Sequence, residues 1–318
     1  MTTTVVIPNW NGGARLNRVL RDLGAQAVRP RRVIVVDNGS TDESPDAAEE
    51  AGAEVIRFGS NLGFAPAVNE GLRRVETPLV AILNNDLELD PQWLRHMEDG
   101  VTRYKDASFA TGKIFSANRR DRLDGTFDLI SQGLSAWRAG HARPDGPEWN
   151  RERYIASTSL TAAVFKRSVF DSIGFLDEQF ESYLEDVDLS IRCSVAGVVG
   201  VYLPRAVSFH AGSATFGAWS PRMVSLIARN HGVLAAKYGV SRKTLVARLL
   251  WGMLALRHGT FFAWLKGYRQ ASSPQPVFLS DEEQARLQAA LSRQEKELYE
   301  LQKAVGFDTY WKLYFLLS

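Results

Sequence analysis

The sequence predicts an α/β fold: a mostly parallel sheet flanked by helices, with a C-terminal helical extension. Three observations predict it. Short β-branched or aliphatic runs alternate with helical patterns in the N-terminal part, these runs end on Asn- and Asp-rich tips, and beyond Ser220 only helical patterns remain. Alternating strands and helices build a parallel sheet covered on both faces, and right-handed crossovers bring the strand tips to one rim.

In chain order, "TTVVIP" reads as the first strand. Leu16, Val19, Leu20 and Leu23, spaced i, i+3, i+4, i+7, mark the first helix. "RRVIVVD" is the second strand, a short helix follows Ser44, and "AEVIRF" is the third strand. A helix over "FAPAVNEGLRRV" leads to the fourth strand, "PLVAILN". Three tips then share the rim: "PNWNG", "DNGSTD" and "NNDLELD". In open α/β sheets ligands bind outside the carboxyl ends of the strands, so the chemistry belongs at that rim.

From Ser116 to Tyr154 the pattern breaks into a polar, Gly- and Arg-rich stretch, read as a long loop or irregular hairpin of the length that is usually functional or mobile. Order returns with "IASTSLTAAVF", the helical "KRSVFDSIG" and "YLEDVDLSIRCSVAG", and the strand-like "VVGVYLP" and "AVSFH". Helices are expected near Arg222–Tyr238 and Lys243–Tyr268. A third opens on a capping box of Ser280 and Glu283, and its stripe of Leu287, Leu291, Leu298 and Leu301 is interrupted by Gln294. The terminal "YWKLYFLLS" is suited to a membrane or to another subunit.

Composition narrows the function classes. At 45% hydrophobic and 23% charged the chain is globular, and a net charge of +2 gives no pull toward nucleic acid. Charge is unevenly spread, however: no Asp or Glu occurs between Leu189 and Ser280, where Lys and Arg are frequent. Cys193 is the sole cysteine, which excludes an intrachain disulfide and a Cys-rich metal centre and fits a cytosolic setting. The N-terminus enters a strand without the basic start and apolar core of a signal peptide. The longest apolar run, Leu249 to Leu256, falls far short of the roughly 20 residues of a spanning helix, so no transmembrane segment is expected.

Four constellations carry chemistry. Asp37 follows four aliphatic residues and precedes a tight Asn-Gly-Ser turn; it either starts that turn or accepts hydrogen bonds from a base or ribose. Asp86 in "NNDLELD" either forms the turn there or offers a hard oxygen ligand of the kind Mg2+ or Mn2+ takes beside substrate phosphates. In "YLEDVDLSIR", Asp188 and Arg192 pair on one helix face while Asp186 points elsewhere, where it is suited to act as a general base. His210 ends a strand and is an imidazole candidate for the same cation. A G-x-G-x-x-G after the first strand, a P-loop and a G-x-S-x-G elbow are all missing.

In this order "VVIPNWNG", "VVDNGSTD", "NLGFAPAVNEGL", "LNNDLEL", "SIGFLDEQFESYLEDVDLSIR" and "YLPRAVSFHAG" resemble glycosyltransferase family 2, and among its members the bacterial rhamnosyltransferase-like and galactofuranosyltransferase-like proteins. The resemblance implies a GT-A fold and an inverting transfer from a nucleoside-diphosphate sugar. Residues 1–219 would form the catalytic domain, with the nucleotide-sugar half at 1–115 and the acceptor half at 116–219; residues 220–318 would dock on a membrane or a subunit.

Position by position, it implies that Pro8, Asn9 and Asn11 line the nucleotide pocket, that Asp37 binds the base, and that Asn61, Gly63 and Asn69 lie beside the nucleotide and sugar. Asn84, Asn85 and Asp86 fill an Asp-x-Asp position, with Asp86 the metal ligand, Asn84 departing from the usual acid and His210 a further ligand. Asp186 matches the base, Glu185 is its less favoured substitute, and Asp188 and Arg192 support them. Pro66 stiffens a loop over the donor. The implied cofactor is Mg2+ or Mn2+, and the donor is dTDP- or UDP-linked. The implied acceptor is a glycan or a polyprenyl-diphosphate-linked saccharide in cell-surface polysaccharide assembly.

The acid-free region fits an anionic membrane on the cytoplasmic side, with a solvated basic face over a helical packing surface, or self-association, as the other readings of that face. Two rival functions are a non-catalytic sugar-nucleotide scaffold and a sugar nucleotidyltransferase, whose glycine-rich loop is missing from "PNWNGGARL".

Overall fold

The computed structural model describes residues 2–212, 217–271 and 277–318. The first three strands, β1 (Thr3–Asn9), β2 (Arg32–Asp37) and β3 (Glu54–Arg57), alternate with α1 (Gly13–Gly24), α2 (Ser44–Glu50) and α3 (Phe64–Arg73). β4 (Leu79–Leu83) and β5 (Leu87–Leu89) precede α4 (Trp93–Arg103) and the long β6 (Ala107–Ser116). Short strands β7 (Leu123–Gly125), β8 (Asp128–Ile130), β9 (Ala136–Arg138) and β10 (Arg153–Ile155) lead to β11 (Ala162–Lys166). Then come α5 (Ser168–Ile173), α6 (Glu185–Val195) and β12 (Val199–His210). The helical region comprises α7 (Pro221–Tyr238), α8 (Arg242–Arg257), α9 (Phe261–Gln270), α10 (Asp281–Val305) and α11 (Thr309–Leu317).

The main sheet runs β10-β12-β6-β11-β4-β1-β2-β3, with β5 added on β12 and β7 on β6. β3, β2, β1 and β4 are mutually parallel, as are β6 and β12, while β11 joins the two groups antiparallel. β4, flanked on both sides, is buried along its whole length, which is why its sequence is continuously apolar rather than alternating. β1 shows the period of two directly. Val5 and Ile7 pack with Leu16, Val19 and Leu23 of α1 on one face, and Val6 packs with Val68 and Leu72 of α3 on the other.

The stretch from Ser116 to Tyr154 takes the hairpin alternative and is packed: β8 and β9 form an antiparallel hairpin, and Phe127, Leu129, Ile130, Trp137 and Trp149 are buried. Three expectations need correction. The helix expected over Lys243–Tyr268 is two helices, broken where Gly259 takes a positive φ of 72°. Pro66 stiffens no loop; it sits in the first turn of α3, where the missing N–H has no helical partner to lose. Finally, "YWKLYFLLS" packs largely on its own chain. Trp311 and Tyr314 are buried, and the Tyr314 hydroxyl accepts from the Gly133 amide at 3.0 Å and donates to Glu295 at 2.6 Å.

Gln294, the polar break in the α10 stripe, has a partner for its oxygen: it accepts from the Ile130 amide and the Ser157 hydroxyl, each at 3.1 Å. This ties α10 to the β8–β9 hairpin beside the site. No helix among the described residues is long and apolar enough to cross a membrane.

Candidate active site

The three strand tips are stitched together by Asn9. Its side-chain amide donates to Asp37 at 3.0 Å and to the Ser44 hydroxyl at 2.9 Å, and its carbonyl accepts from Asn85 at 2.9 Å. Asn9 is itself buried, so it builds the rim instead of lining it. The Asp37 carboxylate closes its own turn, accepting from the Ser40 amide at 3.1 Å and hydroxyl at 2.5 Å. Asn11, in the left-handed region at φ 49°, accepts from the Thr41 amide at 2.8 Å. Asn61 accepts from the Gly63 amide at 2.9 Å, and Gly63 opens α3 at φ 103°. All the polar atoms of the Asn69 side chain reach toward the segment before α6: it donates to the Leu176 carbonyl and to Glu178 at 2.9 Å, and accepts from the Leu176 amide at 2.9 Å.

Above the rim lies a cavity of about 440 Å3 between the strand tips, the β8–β9 hairpin, the start of α6 and helices α7 and α8. It brings together Pro8, Asn61, Asn84, Asn85, Asp86, Glu185, Asp186 and His210. Asn9, Asn11, Asp37, Gly63, Asn69, Asp188 and Arg192 do not line it.

On one wall, His210 stands between two carboxylates. Its Nδ1 lies 3.0 Å from Asp124 Oδ2 and its Nε2 lies 3.2 Å from Asp86 Oδ1, with Asn84 Nδ2 3.4 Å from Nε2. Asp86 and His210 come from distant parts of the chain but are adjacent because β5 pairs with the end of β12, His210 opposite Leu87. Burial alone would lower the His210 pKa; the hydrogen bonds and charges of Asp124 and Asp86 override it and push it up to about 9. Burial likewise opposes ionisation of Asp124, yet the His210 hydrogen bond and the Arg138 charge hold it well below the usual carboxylate range.

On another wall, α6 presents its first turn. Tyr183 and Leu184 enter it in the left-handed region, at φ 70° and 66°, and Glu181 sits at 60°. Such backbone costs of order 1–3 kcal/mol per residue and persists only where its surroundings impose it. Here Asn230 of α7 does so, its amide donating to the carbonyls of Phe180, Ser182 and Tyr183 at 2.6–2.8 Å. Asp188 anchors the same turn from below, accepting from Arg192 at 2.9 Å, Lys237 at 2.5 Å and the Tyr238 hydroxyl at 2.8 Å. Asp186 Oδ1 is fixed by the Val187 amide at 2.8 Å. Burial raises the pKa of Asp186, with Arg138 opposing, and raises that of Glu185 further because Asp186 lies beside it. Glu185 Oε2 is buried with no hydrogen-bond partner among the described residues.

Sequence reasoning missed three residues on the hairpin segment. Arg138 donates to Asp124 at 3.0 Å and faces Asp128 across the β8–β9 pair, and both Arg138 and Asp128 line the cavity. Burial, helped by the neighbouring Asp186 and Asp124, pushes Asp128 up to about 7 against the Arg138 charge. The only signal was two aspartates spaced i, i+4 in an otherwise unpatterned stretch.

The donor set fits a divalent cation of the kind that substrate phosphates complete, the cation displacing the Nε2 proton that the two carboxylates otherwise hold on His210. His210 turns Nδ1 to a carboxylate and Nε2 to Asp86, the orientation in which a second carboxylate fixes a ligating imidazole. Among the described residues no group of three or more His, Cys, Asp or Glu side chains forms a full cation site. One or two protein ligands with phosphates making up the rest is the usual Mg2+ arrangement.

The chain is similar to several known glycosyltransferases. An N-acetylglucosaminyl-diphospho-decaprenol L-rhamnosyltransferase of Mycobacterium tuberculosis is 29% identical over 234 residues, covering 65% of this chain and 75% of the relative. Validoxylamine A glucosyltransferase of Streptomyces hygroscopicus subsp. limoneus is 35% identical over 223 residues, 61% of this chain and 48% of the relative. Among solved structures, GalNAc-T7 with UDP, GalNAc and Mn2+ superposes with a TM-score of 0.64 at 13% identity, covering 96% of this chain and 58% of that one. The mannosyltransferase PcManGT from Pyrobaculum calidifontis, in complex with GDP-Man and Mn2+, gives 0.52 at 15% identity over 99% and 84% of the two chains. At such identities the structural likeness establishes the fold, which is of the GT-A type. The model described as Glycosyl transferase family 2 matches residues 4–174, more than half of the chain, and the chain belongs to that family.

Proposed function

We propose that the protein is an inverting, divalent-cation-dependent glycosyltransferase. It moves a sugar, rhamnose or another hexose, from a dTDP- or UDP-linked donor to a hydroxyl of a glycan or polyprenyl-diphosphate-linked saccharide in cell-surface polysaccharide assembly. The observation that carries the reading is that the Asp86–His210 pair and Asp186 open onto one cavity. The relatives' names support the finer parts: one rhamnosyltransferase acts on a diphospho-decaprenol saccharide. With such an acceptor, the protein works on the cytoplasmic side, at the inner face of the plasma membrane. Residues 1–115 hold the nucleotide sugar and 116–219 the acceptor, with Asn61 and Asp37 on the nucleotide side.

The acceptor oxygen attacks the anomeric carbon in line, the bond from that carbon to the diphosphate breaks, and the nucleoside diphosphate leaves with its electron pair. Asp186 takes the hydroxyl proton, and Glu185 beside it is the less favoured substitute. A divalent cation held by Asp86 and His210 would offset the charge developing on the leaving diphosphate. Asp128 and Arg138 line the same cavity as Asp186.

The test is Asp186→Asn. A positioned general base contributes about 10²–10⁴ in rate, so transfer falls by roughly that factor while nucleotide binding changes little. Turnover at the wild-type rate in this variant moves the base to Glu185.

A further inference from the structure

Helix α8 is apolar on two sides. Ala247, Leu250 and Ala255 are buried, while Leu245, Leu249, Met253 and Leu256 are 54%, 58%, 52% and 66% exposed. The exposed four recur at i, i+4, i+8 and i+11, which places them within one face of the helix. Exposed Arg242 and Arg257 stand at the two ends of that stripe. At one end Arg242 donates to the Leu317 carbonyl at 3.2 Å, bringing in Leu316, which is 75% exposed. After the turn at the other end, Phe262 is 83% exposed, and Lys266 and Arg269 are exposed on α9. None of Arg257, Lys266 and Arg269 has an ion-pair partner among the described residues. The same helix lines the active-site cavity through Trp251.

We propose that the outer face of α8, with Phe262, is the surface by which the protein docks on an anionic lipid bilayer, so that the cavity opens beside the membrane. An apolar stripe of this length with no partner among the described residues is unusual on a monomer and calls for an occupant. Charge selects it. No acid lies between Leu189 and Ser280, and the stripe is bordered by unpaired cations, which complement lipid phosphates and would repel one another in a face-to-face copy of the chain. The inference deepens the lipid-linked acceptor reading and rests on it.

Flotation with phosphatidylcholine vesicles, with and without phosphatidylglycerol, tests it. The wild-type chain floats with the anionic vesicles, and less so as salt is raised. Leu249→Glu with Met253→Glu lowers binding by about tenfold or more, since each glutamate brings negative charge to a negative surface. Arg257→Gln, Lys266→Gln and Arg269→Gln together flatten the salt dependence. All five side chains are exposed, so the core is untouched, and binding of UDP or dTDP with Mn2+, followed by thermal shift, reports folding. Flotation that survives the double glutamate variant overturns the proposal, as does a wild type that does not float. A wild-type dimer in sedimentation that the glutamates dissociate, without flotation, assigns the face to a second copy. Loss of nucleotide binding by the wild type would instead overturn the transferase reading, which vesicle binding does not address.

Discussion

Arg138 decides how the two acidic walls of the cavity behave. It is bonded to Asp124, which steadies His210, and its charge opposes the burial that raises both Asp128 and Asp186. A base must be ionised to accept a proton, so raising its pKa moves the loss of rate at low pH to a higher pH. Arg138→Gln removes a cation whose charge opposes the burial of Asp186, and shifts the acid limb of kcat to higher pH. Arg138→Lys keeps the charge and most of the wild-type limb. A profile measured from acid to neutral pH that is identical in all three proteins would show that Arg138 only packs the hairpin. Asp86, Asp186 and His210 were legible in the sequence because each sits where an apolar run stops or a helix starts. Arg138, Asp124 and Asp128 were not: strands of three residues are too short to show a period, and their pairing is a tertiary event.

At the scale of elements, the junction of α3 with the entry to α6 carries the geometry of the proposed base. The Ala65 amide donates to the Glu181 carbonyl at 3.0 Å, and the Phe64 amide to the Ser182 hydroxyl at 3.2 Å. That contact requires Gly63, where a Cβ would come within 2.6 Å of the Glu181 carbonyl oxygen in addition to the strain of φ 103°. Gly63→Ala therefore costs about 2 kcal/mol or more in chemical denaturation and lowers transfer as well, because the 181–184 turn orients Glu185 and Asp186. Gly52→Ala is the control: its φ is 83° but nothing lies within 4 Å of the added Cβ, so it loses only the backbone contribution of about 1 kcal/mol and no activity. Equal losses in the two variants would mean that the α3–α6 contact adds nothing. Long periodic elements such as α1 and β1 to β4 could be read from spacing alone. The break at Gly259 could not, because α8 and α9 both continue an apolar pattern and only the backbone reversal separates them.

At the scale of the molecule, the two proposed cation ligands lie far apart in sequence, Asp86 beyond β4 and His210 at the end of β12, and the pairing of β5 with β12 joins them. Asp186 reaches the cavity by a third route, through an α6 that Asp188 fastens to Lys237 and Tyr238 of α7. A ligand spanning these walls binds the folded chain and not the unfolded one, so it stabilises the whole molecule. At a hundredfold excess over its Kd the gain is about 2.7 kcal/mol, on the order of a few degrees in Tm for a chain of this size. The nucleoside diphosphate alone gives a small shift, Mn2+ with it gives the full one, and EDTA returns the protein to the small one. Asp86→Asn keeps the nucleotide shift and loses the Mn2+ increment, whereas Asp186→Asn keeps both, since the proposed base contacts neither cation nor nucleotide. An Mn2+ increment retained by Asp86→Asn would place the cation elsewhere, and with it the end of the cavity at which the diphosphate leaves.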